Sequence, residues 1–285
     1  MTDSEKQTDP GKQMEWGTSY RLVASEKWKA KSAAMGKDVT RTLVEYARPQ
    51  PGMQVLDLAS GTGEPAISLA TRVLPGGHVT ALDLSADLLA IADERARQRS
   101  LTNFTTRQGD AQQLPFADNS FDLATSRFGV MFFPDVVRAL QELRRVKRPG
   151  ARACFVAWGP FEQPYWSATM AVVHQHVGGS MLSPGGPDPF RFSDPGSLSA
   201  ALREAGFSAV EETAPTVPWT WPGTPEEVWE QSRAVATPFQ PMLGRVDEHE
   251  WPALHEKVLA AIRQYQVGAE IRFGATIVLA SGTKT

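Results

Sequence analysis

Residues 55–64 read Val-Leu-Asp-Leu-Ala-Ser-Gly-Thr-Gly-Glu, and this stretch decides the fold. Residues 53–59 form a short, largely apolar run, which is typical of a strand buried on both faces of a parallel sheet. Gly61 and Gly63 follow in a loop of small residues, where a ligand can approach the backbone closely. Residues 64–74 then show helical periodicity. This order of strand, glycine loop and helix predicts an α/β sheet with a ligand site where the strand ends.

The alternation of strand and helix continues along the chain. Six further strands are predicted at residues 78–83, 103–108, 121–126, 151–158, 207–217 and 270–280. Helices are predicted between several of them, at residues 86–99, 134–146 and 198–205. Strands that alternate with helices indicate parallel pairing, so the sequence predicts a doubly wound, mostly parallel seven-stranded sheet of the Rossmann-like type.

Composition divides the chain into three segments. Residues 1–15 are polar and predict a disordered tail, and residues 16–50 carry apolar positions at helical spacing and predict a helical cover. Residues 51–285 then predict the α/β domain. Within it, the stretches of about 159–195 and 222–268 are interrupted by glycine or proline and predict helical lid insertions.

The overall charge is nearly balanced, at −3 with 29 basic and 32 acidic residues. Such a chain offers no broad positive field, so we expect neither nucleic acid nor an anionic membrane as a partner. No apolar run approaches the roughly 20 residues that span a bilayer, and residues 1–12 fit neither a signal nor a transit peptide, so we expect a cytoplasmic protein. The single cysteine, Cys154, excludes an internal disulfide. The oligomeric state is not readable from these patterns.

Two acids near the glycine loop favour one class of ligand over another. A Gly-x-Gly turn alone is weak evidence, because nicotinamide dehydrogenases use it too, and Ala66 supplies the third small residue of their pattern. Asp57, however, lies inside the first strand, where that pattern has no acid. Glu64 places a carboxylate at the start of the next helix, where it would repel a pyrophosphate. A cationic sulfonium ligand with an ammonium group meets no such repulsion.

Another acid, Asp83, ends the second predicted strand, 20 residues beyond Gly63. An acid at this place is suited to hold the two hydroxyls of a ribose. The alternative is that Asp83 only caps the next helix, but Ser85 is the better N-cap and leaves the acid free. The spacing fits NAD equally well, so Asp83 predicts an adenosine ligand without naming which one.

The motif after the third strand identifies the ligand class. Residues 108–116 read Gln-Gly-Asp-Ala-Gln-Gln-Leu-Pro-Phe, and residues 118–122 read Asp-Asn-Ser-Phe-Asp. A further motif, Leu-Arg-Arg-Val-Lys-Arg-Pro-Gly-Ala, occupies residues 143–151 before the fifth strand. With the two earlier motifs, these make residues 55–158 resemble the class I S-adenosylmethionine-dependent methyltransferases.

Among these enzymes the chain is most similar to the ubiquinone/menaquinone-biosynthesis C-methyltransferase group. The similarity lies in Leu-Pro-Phe-Ala-Asp-Asn-Ser-Phe-Asp at residues 114–122 and in the pair Phe128-Gly129. Two features depart from it: the usual Lys-Pro-Gly-Gly turn is Arg-Pro-Gly-Ala, and the region from residue 159 onward does not match the quinone enzymes. The resemblance therefore implies a small-molecule methyl acceptor, aromatic or quinone-like compounds included, and leaves open whether carbon, oxygen or nitrogen is methylated.

The resemblance also implies the cofactor, S-adenosyl-L-methionine, and the residues that hold it. In the family, an acid after the third strand meets the adenine amino group, and amino-terminal helices fold over the donor. The implied donor contacts are Asp57, Ala59, Gly61, Gly63, Asp83, Leu84, Asp110, Ala111, Ser126, Arg127 and, in the cover, Trp28.

Methyl transfer to a hydroxyl or a carbon acid calls for a base. The candidates are Tyr165, His174 and His176, all in the first predicted insertion. The two histidines have no acid or cysteine nearby in the sequence, so no metal site is predicted. One aromatic run after the fourth strand either lines an apolar acceptor pocket or belongs to the core: Phe128, Met131, Phe132 and Phe133.

Two other classes of protein stay open. A nicotinamide-dependent oxidoreductase is favoured by Gly-x-Gly and Asp83 but opposed by Asp57, Glu64 and the loop of Asp110. A non-catalytic S-adenosylmethionine-binding protein would use the same pocket, because a fold and a cofactor site do not establish turnover.

Overall fold

The structure is a computed structural model that describes residues 29–285, with their side chains from residue 31 onward. The predicted tail at residues 1–15, the first part of the predicted cover and Trp28 lie outside the described residues. The remainder of the cover contains helix α1, Lys29–Ala47. The helical character predicted for that part of the chain is therefore confirmed.

The described residues contain nine strands. Their bounds are β1 Gln54–Leu58, β2 His78–Asp83, β3 Phe104–Gln108, β4 Phe121–Arg127, β5 Lys147–Trp158, β6 Ser208–Thr213, β7 Thr216–Trp221, β8 Gln266–Val267 and β9 Glu270–Thr283. Seven of them form one sheet in the order β3-β2-β1-β4-β5-β9-β6. Strands β1 to β5 pair in parallel, and β9 runs antiparallel to β5 and β6. The doubly wound, mostly parallel sheet is confirmed.

Strand β9 is long enough to take part in two sheets. Its residues 277–283 lie between β5 and β6, whereas residues 271–276 pair with β7 and residues 270–271 pair with β8. The structure thus has nine strands where seven were predicted. The single strand predicted at residues 207–217 is two strands, β6 and β7, because Pro215 between them has no N–H to donate to a ladder.

Helices cover both faces of the sheet. Their bounds are α2 Ala66–Arg72, α3 Ala86–Gln98, α4 Val136–Val146, α5 Pro164–Ala168, α6 Met170–Val177, α7 Ser197–Glu204, α8 Pro225–Val235, α9 Gln240–Leu243 and α10 Trp251–Arg263. Right-handed crossovers place α2 and α3 on one face, where they contact each other, and α4 on the other face, where it contacts α7. The parallel strands all end at one side of the sheet, which we name the carboxyl edge; the opposite side is the amino edge.

Helix α1 crosses the sheet from one edge to the other. Near its start, Gly36 and Thr40 accept hydrogen bonds from Arg127, the last residue of β4. Near its end, the Tyr46 carbonyl accepts a hydrogen bond of 2.6 Å from Arg152, close to the start of β5. One face of α1 is buried, through Met35, Val39, Leu43 and Val44. The amino-terminal half of α1 therefore lies beside the carboxyl edge.

The two predicted insertions are helical and pack together as one helical layer, formed by α5, α6, α8, α9 and α10. The hydroxyls of Tyr165 and Ser232 are 2.6 Å apart across it. Arg245 donates to the carbonyls of Gly178 and Ser180, each at 2.8 Å. The helical content is as predicted, and the role of these segments as lids stays a prediction.

Candidate functional site

The two glycines of the loop after β1 have different structural roles. A Cβ on Gly61, where φ is +52°, would meet nothing within 4 Å, so this position faces open space. A Cβ on Gly63, where φ is +107°, would lie 2.6 Å from Cδ1 of Ile67. Gly63 is therefore required for packing the loop on α2, whereas Gly61 leaves room for a ligand. Ala59, at the start of the loop, also has a positive φ of +53°.

Asp57 carries the carboxylate with the least satisfied hydrogen bonding at this edge. Its side chain is fully buried, and Oδ1 accepts a hydrogen bond of 2.6 Å from the Thr125 hydroxyl on β4. Oδ2 has no partner among the described residues. Burial raises the pKa of Asp57 to about 7, although the Thr125 hydroxyl opposes the rise. A buried oxygen of this kind fits a ligand that brings a positive charge or a donor.

Asp83 lies at the carboxyl edge and forms a hydrogen bond to the backbone of the glycine loop. Its Oδ2 accepts from the Gly61 N–H at 2.8 Å, and its Oδ1 accepts from the Ser85 N–H at 2.9 Å. Ser85 caps α3 by accepting from the Leu88 N–H, as predicted. The expectation that Asp83 is left free is wrong, because the loop backbone folds onto it. Each carboxylate oxygen still has a second lone pair for a ribose hydroxyl.

The ends of β2 and β3 bring Asp110 next to Asp83. The N–H of Gly109 donates to the Asp83 carbonyl at 3.0 Å, and the Asp110 carboxylate accepts from the Gln112 N–H at 2.8 Å. Leu84, which follows Asp83, is 59% exposed, an unusual state for a leucine at a strand end. Ala111 is buried beside the site. The predicted adenosine contacts therefore converge on adjacent strand ends, and their contact with a donor stays a prediction.

Glu64 occupies the start of α2. Its Oε2 accepts from the Ser68 hydroxyl at 2.6 Å and from the Ser68 N–H at 3.3 Å. A pyrophosphate at this helix would need such N–H groups and would meet a carboxylate instead. The local charge at the glycine loop is thus unfavourable for a dinucleotide and favourable for a cationic ligand.

Ser126 and Arg127, the last two residues of β4, differ in what they do. The buried Ser126 hydroxyl donates to the Leu58 carbonyl at 2.9 Å, so it holds β4 against β1. Arg127 points to α1, where Nη1 donates to Thr40 Oγ1 at 2.9 Å and to the Gly36 carbonyl at 3.4 Å. Its Nε is buried without a partner among the described residues. Burial lowers the pKa of Arg127, while Glu64 and Asp57 attract its charge.

The three candidate bases lie in the helical layer. Tyr165 is buried, bonds to Ser232, and has a pKa raised to about 12 by burial. His174 Nε2 lies 2.8 Å from the Gly179 carbonyl, and His176 Nε2 lies 3.2 Å from a Glu250 carboxylate oxygen. Within the described part of the chain, the hydrogen bonds of these three side chains all go to this layer. None of the three forms a hydrogen bond to Asp57 or Asp83 among the described residues, and their catalytic role stays a prediction.

Three rings at the ends of β4, β5 and β7 form what we call the aromatic corner: Phe128, Trp158 and Trp219. Phe128 stacks on Trp158 with ring centroids 4.3 Å apart, and Trp219 meets Trp158 edge to face at 5.1 Å. The sequence missed Trp219, because its strand was expected to end earlier and no pattern indicates which strand ends meet. The other residues of the predicted aromatic run lie in or against the core: Met131, Phe132 and Phe133.

Two features are absent from residues 29–285. No group of three or more His, Cys, Asp or Glu side chains is placed to hold a metal ion. No described helix has both the length and the apolar character to cross a bilayer.

Two bacterial enzymes are similar to the chain in sequence. It is 35% identical to the demethylmenaquinone methyltransferase of Listeria welshimeri over 134 residues. These aligned residues cover 47% of this chain and 57% of that protein. It is 33% identical to the ubiquinone/menaquinone biosynthesis C-methyltransferase UbiE of Bdellovibrio bacteriovorus over 177 residues. These aligned residues cover 61% of this chain and 74% of that protein. The chain therefore spans little more than half the length of the Listeria enzyme.

The fold and the acids at three neighbouring strand ends define a Rossmann-like protein of the methyltransferase class. The crystal structure of YcgJ from Bacillus subtilis has the same fold, with a TM-score of 0.55 and 19% identity over 86% of this chain and 97% of that one. Residues 56–155 match the family model described as a methyltransferase domain. The chain belongs to the class I S-adenosylmethionine-dependent methyltransferases, in the group of the ubiquinone/menaquinone-biosynthesis enzymes.

Proposed function

We propose that the protein transfers the methyl group of S-adenosylmethionine to a small aromatic acceptor of the quinol type. The observation that carries this proposal is the buried Asp57 carboxylate, whose Oδ2 lacks a partner next to a loop that is open at Gly61. A buried carboxylate oxygen without a partner favours a cationic ligand, which lets the acid ionise. The donor's methionine part carries an ammonium group that meets this need.

The neighbouring strand ends support the same donor. The second lone pairs of Asp83 are available to the ribose hydroxyls, and Asp110 on the adjacent strand is available to the adenine amino group. The exposed side chain of Leu84 offers an apolar surface to the adenine ring. When bound, the donor supplies a methyl group on a sulfonium, whose departure leaves a neutral thioether.

The chain's own contribution is alignment and the exclusion of water. An in-line displacement with a good leaving group gains most from holding the two reactants at the correct distance and angle. Helix α1 lies beside the carboxyl edge and is held there by Arg127, so it is placed to shield the reacting groups from solvent.

Two observations support an aromatic acceptor. The names of the Listeria and Bdellovibrio relatives refer to menaquinone and ubiquinone. The aromatic corner offers ring surfaces next to the glycine loop, since a Cβ on Gly129 would lie 2.5 Å from the Cβ of Ala59. Trp158 and Trp219 lie beyond residues 56–155, so this surface is outside the part matched by the family model.

A second candidate function is a non-catalytic protein that binds the donor. The observation in its favour is that Tyr165, His174 and His176 make their hydrogen bonds in the helical layer. A protein of this kind would bind S-adenosylmethionine and transfer no methyl group.

A transfer assay with isotopically labelled donor, together with calorimetry, separates these functions. We expect donor binding in the micromolar range, no binding of NAD, and label in a quinol or phenol rather than in an amine or thiol. Donor binding without transfer to any acceptor would favour the non-catalytic protein. Binding of NAD without binding of the donor would overturn both.

A further inference from the structure

Arg127 has donor groups that the described residues do not use. Only Nη1 is engaged, by Thr40 and Gly36, while Nε is buried without a partner and Nη2 makes no hydrogen bond to a described residue. No carboxylate lies within 4.0 Å of its guanidinium among residues 31–285. A guanidinium stays charged, and although Glu64 and Asp57 attract it, neither accepts a hydrogen bond from it, so Nε and Nη2 keep unused donor capacity. An anionic partner from outside the described chain would satisfy it.

The arginines of the neighbouring strand β5 are paired. Arg148 bonds to Asp122 at 2.6 Å, and Arg152 bonds to Glu211 at 3.3 Å. Arg127 is therefore distinguished from them by the absence of a described carboxylate partner. It also differs in position, because it ends its strand at the carboxyl edge.

Arg127 stands between the glycine loop and the aromatic corner. The next residue, Phe128, is half-buried and stacks on Trp158, and the residue after it, Gly129, packs against Ala59 of the loop. An aromatic ring that lies against Phe128 would bring its substituents close to Arg127, the residue before it. The anion that reaches Arg127 is thus expected to come from the acceptor.

The acceptor of a methyl group needs electron density at the attacked atom. An unperturbed phenol ionises near pH 10, as tyrosine does, so at neutral pH it needs a base or a nearby positive charge. Tyr165, His174 and His176 have their hydrogen bonds in the helical layer. Arg127 is the positive charge that the structure places at the carboxyl edge beside the corner.

We propose that Arg127 binds the ionised hydroxyl oxygen of an aromatic acceptor and thereby activates it without a general base. The acceptor's O–H bond breaks, the proton passes to bulk water, and the electron pair stays on the oxygen that accepts from Nε and Nη2. The acceptor class is an oxygenated aromatic ring stacked on the aromatic corner. This inference rests on the proposed function and adds the group that activates the acceptor.

The test is the pH dependence of kcat/KM for a phenolic acceptor in the full-length protein and in Arg127→Gln. We expect the midpoint of the rising limb to move up by at least about one pH unit and the rate at pH 7 to fall about tenfold or more, because the positive charge is lost. All rates are compared at saturating donor, and the dissociation constant of the donor is measured beside them, because Arg127 also holds α1 next to the donor site. Arg127→Lys should recover part of the rate, since it keeps the charge. A more acidic acceptor of the same shape, already ionised at pH 7, should lose less rate in Arg127→Gln.

Arg152→Gln is the matched control. Arg152 also holds α1, through the Tyr46 carbonyl at 2.6 Å and the Tyr46 ring at 4.4 Å, but at the amino edge. We expect its pH midpoint to equal that of the unmodified protein. An equal shift in Arg152→Gln would assign the effect to the placement of α1 and overturn the proposal.

Three further results would overturn it. Weaker donor binding in Arg127→Gln with an unmoved pH midpoint would make the donor carboxylate the partner of Arg127. If Arg127→Gln does not fold, Gly36→Ala gives the test, because its Cβ would lie 2.8 Å from Nη1 and displace the guanidinium; an unmoved midpoint there would contradict the proposal. Donor binding without any transfer by the unmodified protein overturns the proposed function, and this inference with it.

Discussion

Two aspartates on adjacent strands, one at each edge of the sheet, differ in how fully their carboxylate oxygens are bonded. At the amino edge, Asp122 on β4 has both oxygens bonded, to the Gln54 N–H at 2.8 Å and to Arg148 at 2.6 Å. At the carboxyl edge, Asp57 on the adjacent strand has one oxygen bonded and one without a partner. Arg127 repeats the contrast among the arginines, because Arg148 and Arg152 near the amino edge have carboxylate partners. Paired groups stabilise the fold, whereas groups kept without partners lower stability and are expected where a ligand completes them.

A concave shape alone would indicate the amino edge, opposite to the candidate site. An open cleft of about 350 Å³ lies at the amino edge, lined among others by Met53, Asp122 and Arg152. Asp122 and Arg152 in this cleft are already paired, with Arg148 and Glu211 respectively. The candidate site at the carboxyl edge rests on the unsatisfied oxygen of Asp57 and the open space at Gly61 rather than on the volume of a cleft.

We expect the largest effect on donor affinity from Asp83→Ala. Asp83 accepts two hydrogen bonds, from the N–H groups of Gly61 and Ser85. Asp122 also accepts two, from the Gln54 N–H and from Arg148, so both alanine variants should lose about 1–3 kcal/mol of unfolding free energy. Only Asp83→Ala also loses the acceptors for the ribose, and calorimetry should show donor affinity falling about tenfold to a hundredfold. Asp83→Asn should lose less, because its amide oxygen still accepts a bond.

Asp122→Ala is the control for that experiment, and its donor affinity should match that of the unmodified protein. If both alanine variants bind the donor equally well, the ribose does not lie at the end of β2 and the functional difference between the edges fails.

A smaller effect is expected from the titration of Asp57. Its pKa of about 7 lies above the usual range, so the folded state without ligand binds the proton more tightly than the unfolded state, and stability falls as pH rises from about 4 to 7. A cationic donor prefers the ionised acid, so its affinity should rise by up to about tenfold between pH 6 and 8, with release of a proton. Calorimetry in buffers of different ionisation enthalpy measures both quantities. Asp57→Asn should abolish the pH dependence, and an unchanged dependence would contradict the assignment.

The smallest effect on donor binding is expected at Lys147, a buried cation near the amino edge. Its Nζ has one weak hydrogen bond, 3.5 Å from the Gly282 carbonyl, and lies 4.7 Å from the centre of the Phe207 ring. Burial lowers its pKa to about 7. Between pH 7 and about 10 the unfolded state binds more protons than the folded one, so stability should rise with pH.

Lys147→Met should remove this rise and increase the unfolding free energy at pH 7 by about 1–3 kcal/mol, measured by denaturant titration at pH 7 and 9. Donor affinity should be unchanged. A loss of donor affinity in this variant would show that the amino edge contributes to the site.

Much of the fold was predictable because its signals are local. The strand, glycine loop and helix around Gly61 and Gly63 are contiguous, and parallel strands buried on both faces read as apolar runs. The pairing of the later strands, β6 to β9, was not predictable in this way. Strand β9 pairs with β5, β6 and β7 at once, and this depends on contacts between residues far apart in the chain.

The site was predictable in part. Asp57, Asp83 and Asp110 follow from strand ends, since carboxyl ends of parallel strands meet at one edge. The prediction that the Asp83 carboxylate is free of protein partners was wrong. Its hydrogen bond to the Gly61 N–H joins two loops that are separate in the sequence. The aromatic corner is formed by residues from three strands, and its assembly has no local signal.

The sequence by itself determined the class of fold and the family, because both depend on short motifs whose conformation is set by neighbouring residues. Only the tertiary structure decided which polar groups are satisfied. Asp57 and Asp122 have the same side chain on adjacent strands, yet Asp57 has one oxygen without a partner and Asp122 has both oxygens bonded. The reason is physical: a hydrogen bond depends on distances between atoms, and distances between remote segments exist only in the folded chain.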